Sequence, residues 1–192
     1  ADALDEIEDE TLRAQFISDL AGMQHLVREG LDLARIETTV EAVTPVDLDA
    51  LLSAICEDAA EAGQPVIFTQ GCNAVVPTRP QALRRCLTNL IDNAVLHGGE
   101  AAVSAVRDGG ALRLIVRDHG PGIKGPDRTR IFERFYRADT SRTRETGGTG
   151  LGLSIVASVV GQHGGVVTLE ETPGGGATFV VTLPGGESAE AA

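Results

Sequence analysis

Apolar side chains return at alternating spacings of four and three near the start of the chain, at Phe16, Leu20, Met23, Val27, Gly30 and Ala34. The pattern predicts a helix over residues 6–37 with a coiled-coil-like seam about three heptads long, to be covered by a partner helix or by its own domain. Thr39 to Pro45 breaks the period, and Pro45-Val46-Asp47 is expected to open a second helix that runs to about Ala62 and stops at Gly63. A domain boundary is expected near residue 43. Beyond it, strands are predicted at Val66 to Thr69 and Ala74 to Pro77, then a helix from Pro80 to Gly98. Ala101 to Arg107 and Ala111 to Arg117 flank Asp108-Gly109-Gly110 and read as a hairpin with a short glycine turn. Leu151 to His163 reads as a helix, and Val166 to Glu171 and Ala177 to Leu183 as strands joined by Pro173-Gly174-Gly175-Gly176. Mostly antiparallel strands with helices gathered on one face make an α+β, two-layer sandwich.

The charge balance narrows the function. With 16 basic and 28 acidic side chains the 192-residue chain carries −12, which argues against a general binder of nucleic acid or anionic membrane. Any polyanion must be held locally, and Lys124 to Arg144 offers the place: seven of the sixteen basic residues fall there beside only Asp127, Glu133 and Asp139. Glycine is uneven as well, because only Gly22, Gly30, Gly63 and Gly71 of the 23 precede position 98. No run approaches the roughly 18 apolar residues of a membrane span, and the acidic start lacks the basic region of a signal peptide. Cys56, Cys72 and Cys86 form no CxxC pair, so neither a disulfide framework nor a zinc ribbon is indicated, and a reducing cytoplasm fits. Gly185 to Ala192 reads as a disordered tail.

Three constellations carry chemistry. On the helix from Pro80, Leu83, Leu87, Leu90, Ile91 and Ala94 form the apolar stripe, while Asn89, Asn93 and His97 recur every four residues on a neighbouring face. Asparagine is a poor mid-helix residue, so two of them one turn apart point either to hydrogen bonding or ligation, with an amide oxygen suited to Mg²⁺, or to a plain solvated face. Asp118-His119-Gly120-Pro121-Gly122-Ile123 follows the apolar strand Leu112 to Val116. An acid at a strand end with two glycines beside it makes a rigid acceptor, and an acceptor favours the amino group of adenine over the carbonyl of guanine.

Gly147-Gly148-Thr149-Gly150-Leu151-Gly152-Leu153 leads directly into a helix, so its backbone N–H groups and the helix dipole form a site for phosphate. It is neither a Walker loop nor a GxGxxG dinucleotide turn, which implies a different nucleotide fold. Between the glycine motifs, Phe132, Phe135 and Tyr136 are three of six aromatic residues in the chain, set among Arg134, Arg137, Arg142 and Arg144. The mixture suggests a lid anchored by aromatics and carrying charge for phosphate oxygens.

In this order, Asn89-Leu90-Ile91-Asp92-Asn93, Asp118 to Gly122, Ile131 to Tyr136 and Gly148 to Leu153 resemble the N, G1, F and G2 boxes of sensor histidine kinases. The resemblance implies that residues 44–184 form an ATP-binding catalytic domain of the Bergerat fold shared with gyrase and mismatch-repair ATPases. It implies that Asn93 ligates Mg²⁺ with Asn89 beside it, that Asp118 binds the adenine amino group, and that Arg137 and Arg142 approach phosphates. It further implies that Gly148, Thr149, Gly150, Leu151, Gly152 and Leu153 wrap the triphosphate, that His97, Gly120, Gly122, Ile123, Phe135 and Tyr136 line the nucleotide, and that Thr178 sits near adenine.

Related ATPases place a glutamate where this chain has Asn89, and an amide cannot take a proton from water, so the implied chemistry is transfer of the γ-phosphoryl to a histidine, with relay to an aspartate of a response regulator. Leu96 and His97 depart from the family's basic-then-aromatic pair, leaving His97 or a lid arginine to supply the phosphate contact. The family's phosphoacceptor H-box matches none of His25, His97, His119 or His163. Residues 1–43 resemble the second helix of the dimerisation hairpin, which places the first helix upstream of Ala1, in a dimeric and inner-membrane-anchored parent. Two other readings share some of the same residues: an anti-sigma-type serine kinase, which would have no use for the seam of residues 6–37, and a degenerate docking module, against which the retained glycines stand.

Overall fold

The structure is a computed structural model that describes residues 41–137 and 150–185, with eight helical positions from Leu12 to Gly30. Those eight are Leu12, Arg13, Phe16, Ile17, Leu20, Met23, Val27 and Gly30, and all are exposed. The rest of the expected helix over 6–37, the glycine and arginine stretch 138–149 and the tail 186–192 lie outside the described residues.

The elements run β1 (Thr44–Asp47), α1 (Leu48–Glu61), β2 (Val66–Gln70), β3 (Val75–Thr78), α2 (Pro80–Gly98), β4 (Ala101–Asp108), β5 (Ala111–Arg117), α3 (Gly152–Gln162), β6 (Val166–Glu171) and β7 (Ala177–Pro184). Five strands form one sheet in the order β2-β4-β5-β7-β6, antiparallel except for the parallel pair β2 and β4, while β1 and β3 pair antiparallel in a separate ribbon.

One expectation fails here. Pro45-Val46-Asp47 does not open a helix; it is a strand facing Val75 to Pro77 of β3, and the helix begins at Leu48. The fixed φ of Pro45 suits extended chain as well as a first helical turn, and a strand partner some thirty residues away leaves no local signal. Asp47 is instead the N-cap, its carboxylate accepting the Asp49 and Ala50 N–H groups at 3.0 and 3.1 Å.

Alternation decides what each strand buries. Ala101, Val103 and Ala105 of β4, Leu112, Leu114 and Val116 of β5, and Ala177, Phe179, Val181 and Leu183 of β7 share one face and form a single core with the helices. From α2 that core receives Leu83, Cys86, Leu87, Leu90, Ile91 and Ala94, the expected stripe with Cys86 added. The hairpin turn is Gly109-Gly110, both at positive φ, as a two-residue turn matched to strand twist requires. All three cysteines are free, and burial pushes the Cys86 thiol up to about 12.

The start of α2 is closed by a residue far away in sequence. Its N-cap Arg79 supplies no side-chain cap; the two oxygens of Glu41 accept the Gln81 and Ala82 N–H groups at 2.8 and 2.9 Å. Arg79 in turn donates to the carbonyls of Glu41 and Gln162. Glu41 thereby closes the start of α2, and Arg79 bridges it to the end of α3.

Candidate nucleotide site

Asp118 is buried and held by hydrogen bonds on both its side chain and its backbone. Only 3 % exposed, it follows β5 on the helix side of the sheet. Its Oδ1 accepts the Gly120 N–H at 2.8 Å and the Ala177 N–H at 3.1 Å, and its own N–H donates to the Ala177 carbonyl at 3.0 Å. Among the described residues no hydrogen bond reaches Oδ2, so a carboxylate locked in orientation keeps one oxygen for a donor that enters the site.

Glycines make that lock possible. A Cβ on Gly176, which sits at φ +105°, would stand 2.1 Å from the Asp118 carbonyl oxygen. One on Gly120 would stand 2.5 Å from the His97 carbonyl, one on Gly122 2.8 Å from the Gly176 carbonyl, and one on Gly98 2.5 Å from the Asp118 Cβ. The end of α2, the loop after β5 and the turn before β7 therefore meet backbone to backbone. Gly98 and Gly176 were not singled out in the sequence as site residues; the run Gly174-Gly175-Gly176 was the available signal, since all three take positive φ.

The helix α2 carries Asn89, Asn93 and His97 toward the same region. Asn89 and Asn93 are half-buried, and the Asn89 amide nitrogen donates to the Arg85 carbonyl at 3.0 Å, which leaves its oxygen as the free acceptor end. Two amide oxygens one turn apart are hard donors, and no group of three or more His, Cys, Asp or Glu side chains gathers among the described residues. That donor set fits a cation such as Mg²⁺ that takes few protein ligands and fills its shell with phosphate and water. His97 has its pKa lowered from 6.5, first by burial of the ring, against an opposing pull from the Asp118 charge and with a further push from Arg137. Three residues far apart in sequence, His97, Asp118 and Arg137, thus lie close enough for their charges to act on one another.

The third wall is built around the aromatic segment. Ile131 is buried, and Phe132 meets Phe179 of β7 edge to face at 6.4 Å between centroids, which fixes the segment to the helix side of the sheet. Tyr136 donates its phenol proton to Asp127 and lies under the Arg130 guanidinium at 4.2 Å. Phe135 is 66 % exposed at φ +63°, and its N–H donates to the Gly150 carbonyl at 3.0 Å. Gly150 leads to Leu151, the buried N-cap of α3, whose side chain supplies no acceptor for the first N–H groups of the helix, groups suited to phosphate oxygens. Ile123 and Leu153 are half-buried and pack on the core.

Of the expected residues, His97 lies within charge range of Asp118 and Arg137, Gly120 meets the end of α2 and Gly122 the turn before β7, and Gly150 meets Phe135 and Tyr136, while Asn93 and Asn89 precede His97 on α2 by about one and two turns. Arg142, Gly148 and Thr149 lie outside the described residues. Thr178 is not brought to the base side: it alternates with Ala177 and Phe179, which face the helices, so its side chain turns to the opposite face of β7. There its hydroxyl meets that of Thr172 at 2.8 Å. Ala177, not Thr178, is the β7 residue beside Asp118, because strand period two leaves no other choice once Phe179 is in the core.

Comparison with known proteins agrees with this geometry. Residues 78–187 match the family model described as histidine kinase-, DNA gyrase B- and HSP90-like ATPase. The sensor-like histidine kinase SenX3 of Mycolicibacterium smegmatis is 31% identical over 88% of this chain and 47% of its own length, so the chain spans about half of that curated relative. Among solved structures, the ATP binding domain of PrrB from Mycobacterium tuberculosis superposes with a TM-score of 0.64 at 32% identity, over 77% of this chain and 100% of that one. Full-length ShkA in complex with AMPPNP superposes with a TM-score of 0.71 at 28% identity, over 93% of this chain and 39% of that one. No helix among the described residues is long and apolar enough to cross a membrane. With the sheet order, the Asp118 cradle and the family match in agreement, the chain belongs to the histidine kinase-, DNA gyrase B- and HSP90-like ATPase family and carries the ATP-binding catalytic domain of a sensor histidine kinase.

Proposed function

We propose that this chain binds Mg·ATP between α2, the Asp118 loop and the N-terminus of α3, and transfers the γ-phosphoryl to a histidine imidazole for relay to a response-regulator aspartate. The observation that carries the reading is Asp118: a buried carboxylate with one oxygen tied to two backbone N–H groups and the other left for the adenine amino group. Asn93, with Asn89 beside it, would hold Mg²⁺, which when bound neutralises phosphate charge. Arg137 and the N-terminus of α3 receive phosphate oxygens, and His97, four residues beyond Asn93 on α2, stands where a partly buried ring can answer to their charge. Asn89 cannot serve as a base for water, which favours transfer to a protein nucleophile over hydrolysis.

We assign residues 44–184 to the nucleotide-binding unit and residues 1–43 to a dimerisation helix, whose described positions Phe16, Leu20, Met23 and Val27 are helical and exposed. The acceptor imidazole then belongs to the dimerisation helices of a longer, homodimeric, membrane-anchored protein, in line with relatives about twice the length of this chain. Calorimetric titration with ATP and GTP, with and without Mg²⁺, tests the first step. Saturable, magnesium-dependent, adenine-selective binding that weakens in Asp118→Asn is expected, followed by phosphorylation of an H-box helix pair supplied in trans. Equal affinity for ATP and GTP would refute the role given to Asp118.

A further inference from the structure

The phosphate half of the site consists of two pieces of chain that come from opposite sides of residues 138–149, and something must hold them in register. One piece is Phe135 to Arg137; the other is Gly150 to Gly152, the entry to α3. They touch directly: the Phe135 N–H donates to the Gly150 carbonyl at 3.0 Å, and a Cβ on Gly150 would stand 3.0 Å from both the Phe135 carbonyl carbon and the Tyr136 carbonyl oxygen. A single backbone hydrogen bond at the surface is a weak tie. The stronger tie lies one residue on, where Tyr136 donates its phenol to the Asp127 carboxylate at 2.5 Å with the Arg130 guanidinium 4.2 Å from its ring centroid. Asp127 is itself held, because its N–H donates to the Lys124 carbonyl and its carbonyl accepts the Arg130 and Ile131 N–H groups, closing a helical turn whose Ile131 is buried in the core.

Going beyond the roles given above, we infer that Asp127 is a positioning residue for triphosphate binding: by accepting the Tyr136 phenol it clamps residues 135–137 against Gly150, and so sets Arg137 and the N-terminus of α3 at one spacing. Asp127 touches no nucleotide; it acts through Tyr136. The inference rests on the nucleotide reading, and it assigns the clamp to the phosphates alone, since the base is held by Asp118 on the other side of the site. A charge-assisted hydrogen bond is worth more than a neutral one, so its loss removes the strongest side-chain hold on Tyr136 and leaves the backbone bonds of Phe135 to Gly150 and of Tyr136 to Glu133.

The test is an NMR titration of the whole chain with ATP and, separately, with adenosine, in wild type, Tyr136→Phe, Asp127→Ala, Asp127→Asn and the double variant Asp127→Ala/Tyr136→Phe. Tyr136→Phe keeps the ring, its packing and its stacking under Arg130 and removes only the donor; Asp127→Asn keeps an acceptor oxygen for it. The expected result is about a tenfold weaker ATP affinity in Tyr136→Phe and Asp127→Ala, at most about twofold in Asp127→Asn, and a double variant no worse than either single one. Adenosine affinity stays at the wild-type value throughout. An equal loss for adenosine would make the pair a general prop of the fold, and an unchanged ATP affinity in Tyr136→Phe would remove the clamp; either overturns the inference while leaving the nucleotide reading intact. A wild-type chain that binds neither ligand would overturn both.

Discussion

The two halves of the site are built on opposite plans. On the base side every element is over-determined: Asp118 is oriented by two N–H donors, and the backbones of Gly98, Gly120, Gly122 and Gly176 are in contact, so nothing has to move for a donor to meet Oδ2. On the phosphate side the residues are exposed or at a chain end: a helix start whose N-cap Leu151 contributes no side-chain cap, basic side chains, and an exposed aromatic at positive φ. A neutral heterocycle of one shape can be met by a rigid wall. A charged, branched triphosphate with rotatable bonds is met by side chains and backbone N–H groups that can adjust to it, at the cost of ordering them on binding.

The largest effect should come from filling the contact between backbones on the base side. Gly176→Ala puts a methyl 2.1 Å from the Asp118 carbonyl oxygen on backbone already at φ +105°, and calorimetry should find adenine-nucleotide affinity down by more than about 100-fold. Gly174→Ala is the control: φ is +93° but no atom lies within 4 Å of the added carbon, so about 1–2 kcal/mol of stability goes while affinity stays. Equal effects of the two would mean that backbone strain, not contact, governs the cradle.

Asp118→Asn should come next. The amide oxygen can still accept from Gly120 and Ala177, but the nitrogen replaces Oδ2 with a donor that faces the adenine amino group, so ATP should bind about 10- to 100-fold more weakly with the melting temperature little changed. On the other side, Arg137→Ala should weaken ATP about tenfold, leave adenosine untouched, and show its effect most at low ionic strength. A loss shared by adenosine would erase the distinction between the halves.

Smaller effects probe the boundary and the rim. Burial lowers the His97 pKa below 6.5, so the unfolded chain takes up the proton first as pH falls. The contribution of His97 to stability is therefore complete above about 6.5 and is lost as pH drops through the lowered folded value. Thermal melts between pH 7.5 and 5 on wild type and His97→Asn should show a shallower acid decline in the variant, and bound ATP, whose phosphates favour the charged ring, should flatten the wild-type decline too. Phe135→Asn, at φ +63° with a side chain 66 % exposed, should raise stability by less than about 1 kcal/mol in denaturant titration, because Asn tolerates the left-handed region.

Legibility in the sequence followed the range of the interaction. α2, α3 and the β4–β5 hairpin were readable because their stripes, proline start and glycine turn are written within a few residues of each element. So was the family, through four boxes in order. The strand at Thr44–Asp47 was not, because its partner Val75–Thr78 lies on the far side of α1. Glu41 as the cap of α2 was invisible for the same reason, there being no capping residue at Arg79 to mark the helix start. Thr178 is the instructive miss. The family resemblance suggested the base, whereas period-two alternation, anchored by Phe179 in the core, sends it to the other face.

What the sequence by itself determined, then, is the chemistry available and the local shape that delivers it: an acid at a strand end, amides one turn apart on a helix, and glycines leading into another helix. Those follow from side-chain identity and from periods of 3.6 and 2, which act over neighbouring residues. The tertiary structure decided which oxygen of Asp118 is left open, which face of β7 looks at the base, and what ties Arg137 to the start of α3. Each of these involves at least one contact between groups distant in the chain, as when Ala177 meets Asp118 59 positions away and Gly150 meets Tyr136 14 positions away. Hydrogen bonds and van der Waals contacts act over a few ångströms in space and carry no mark of that meeting along the sequence.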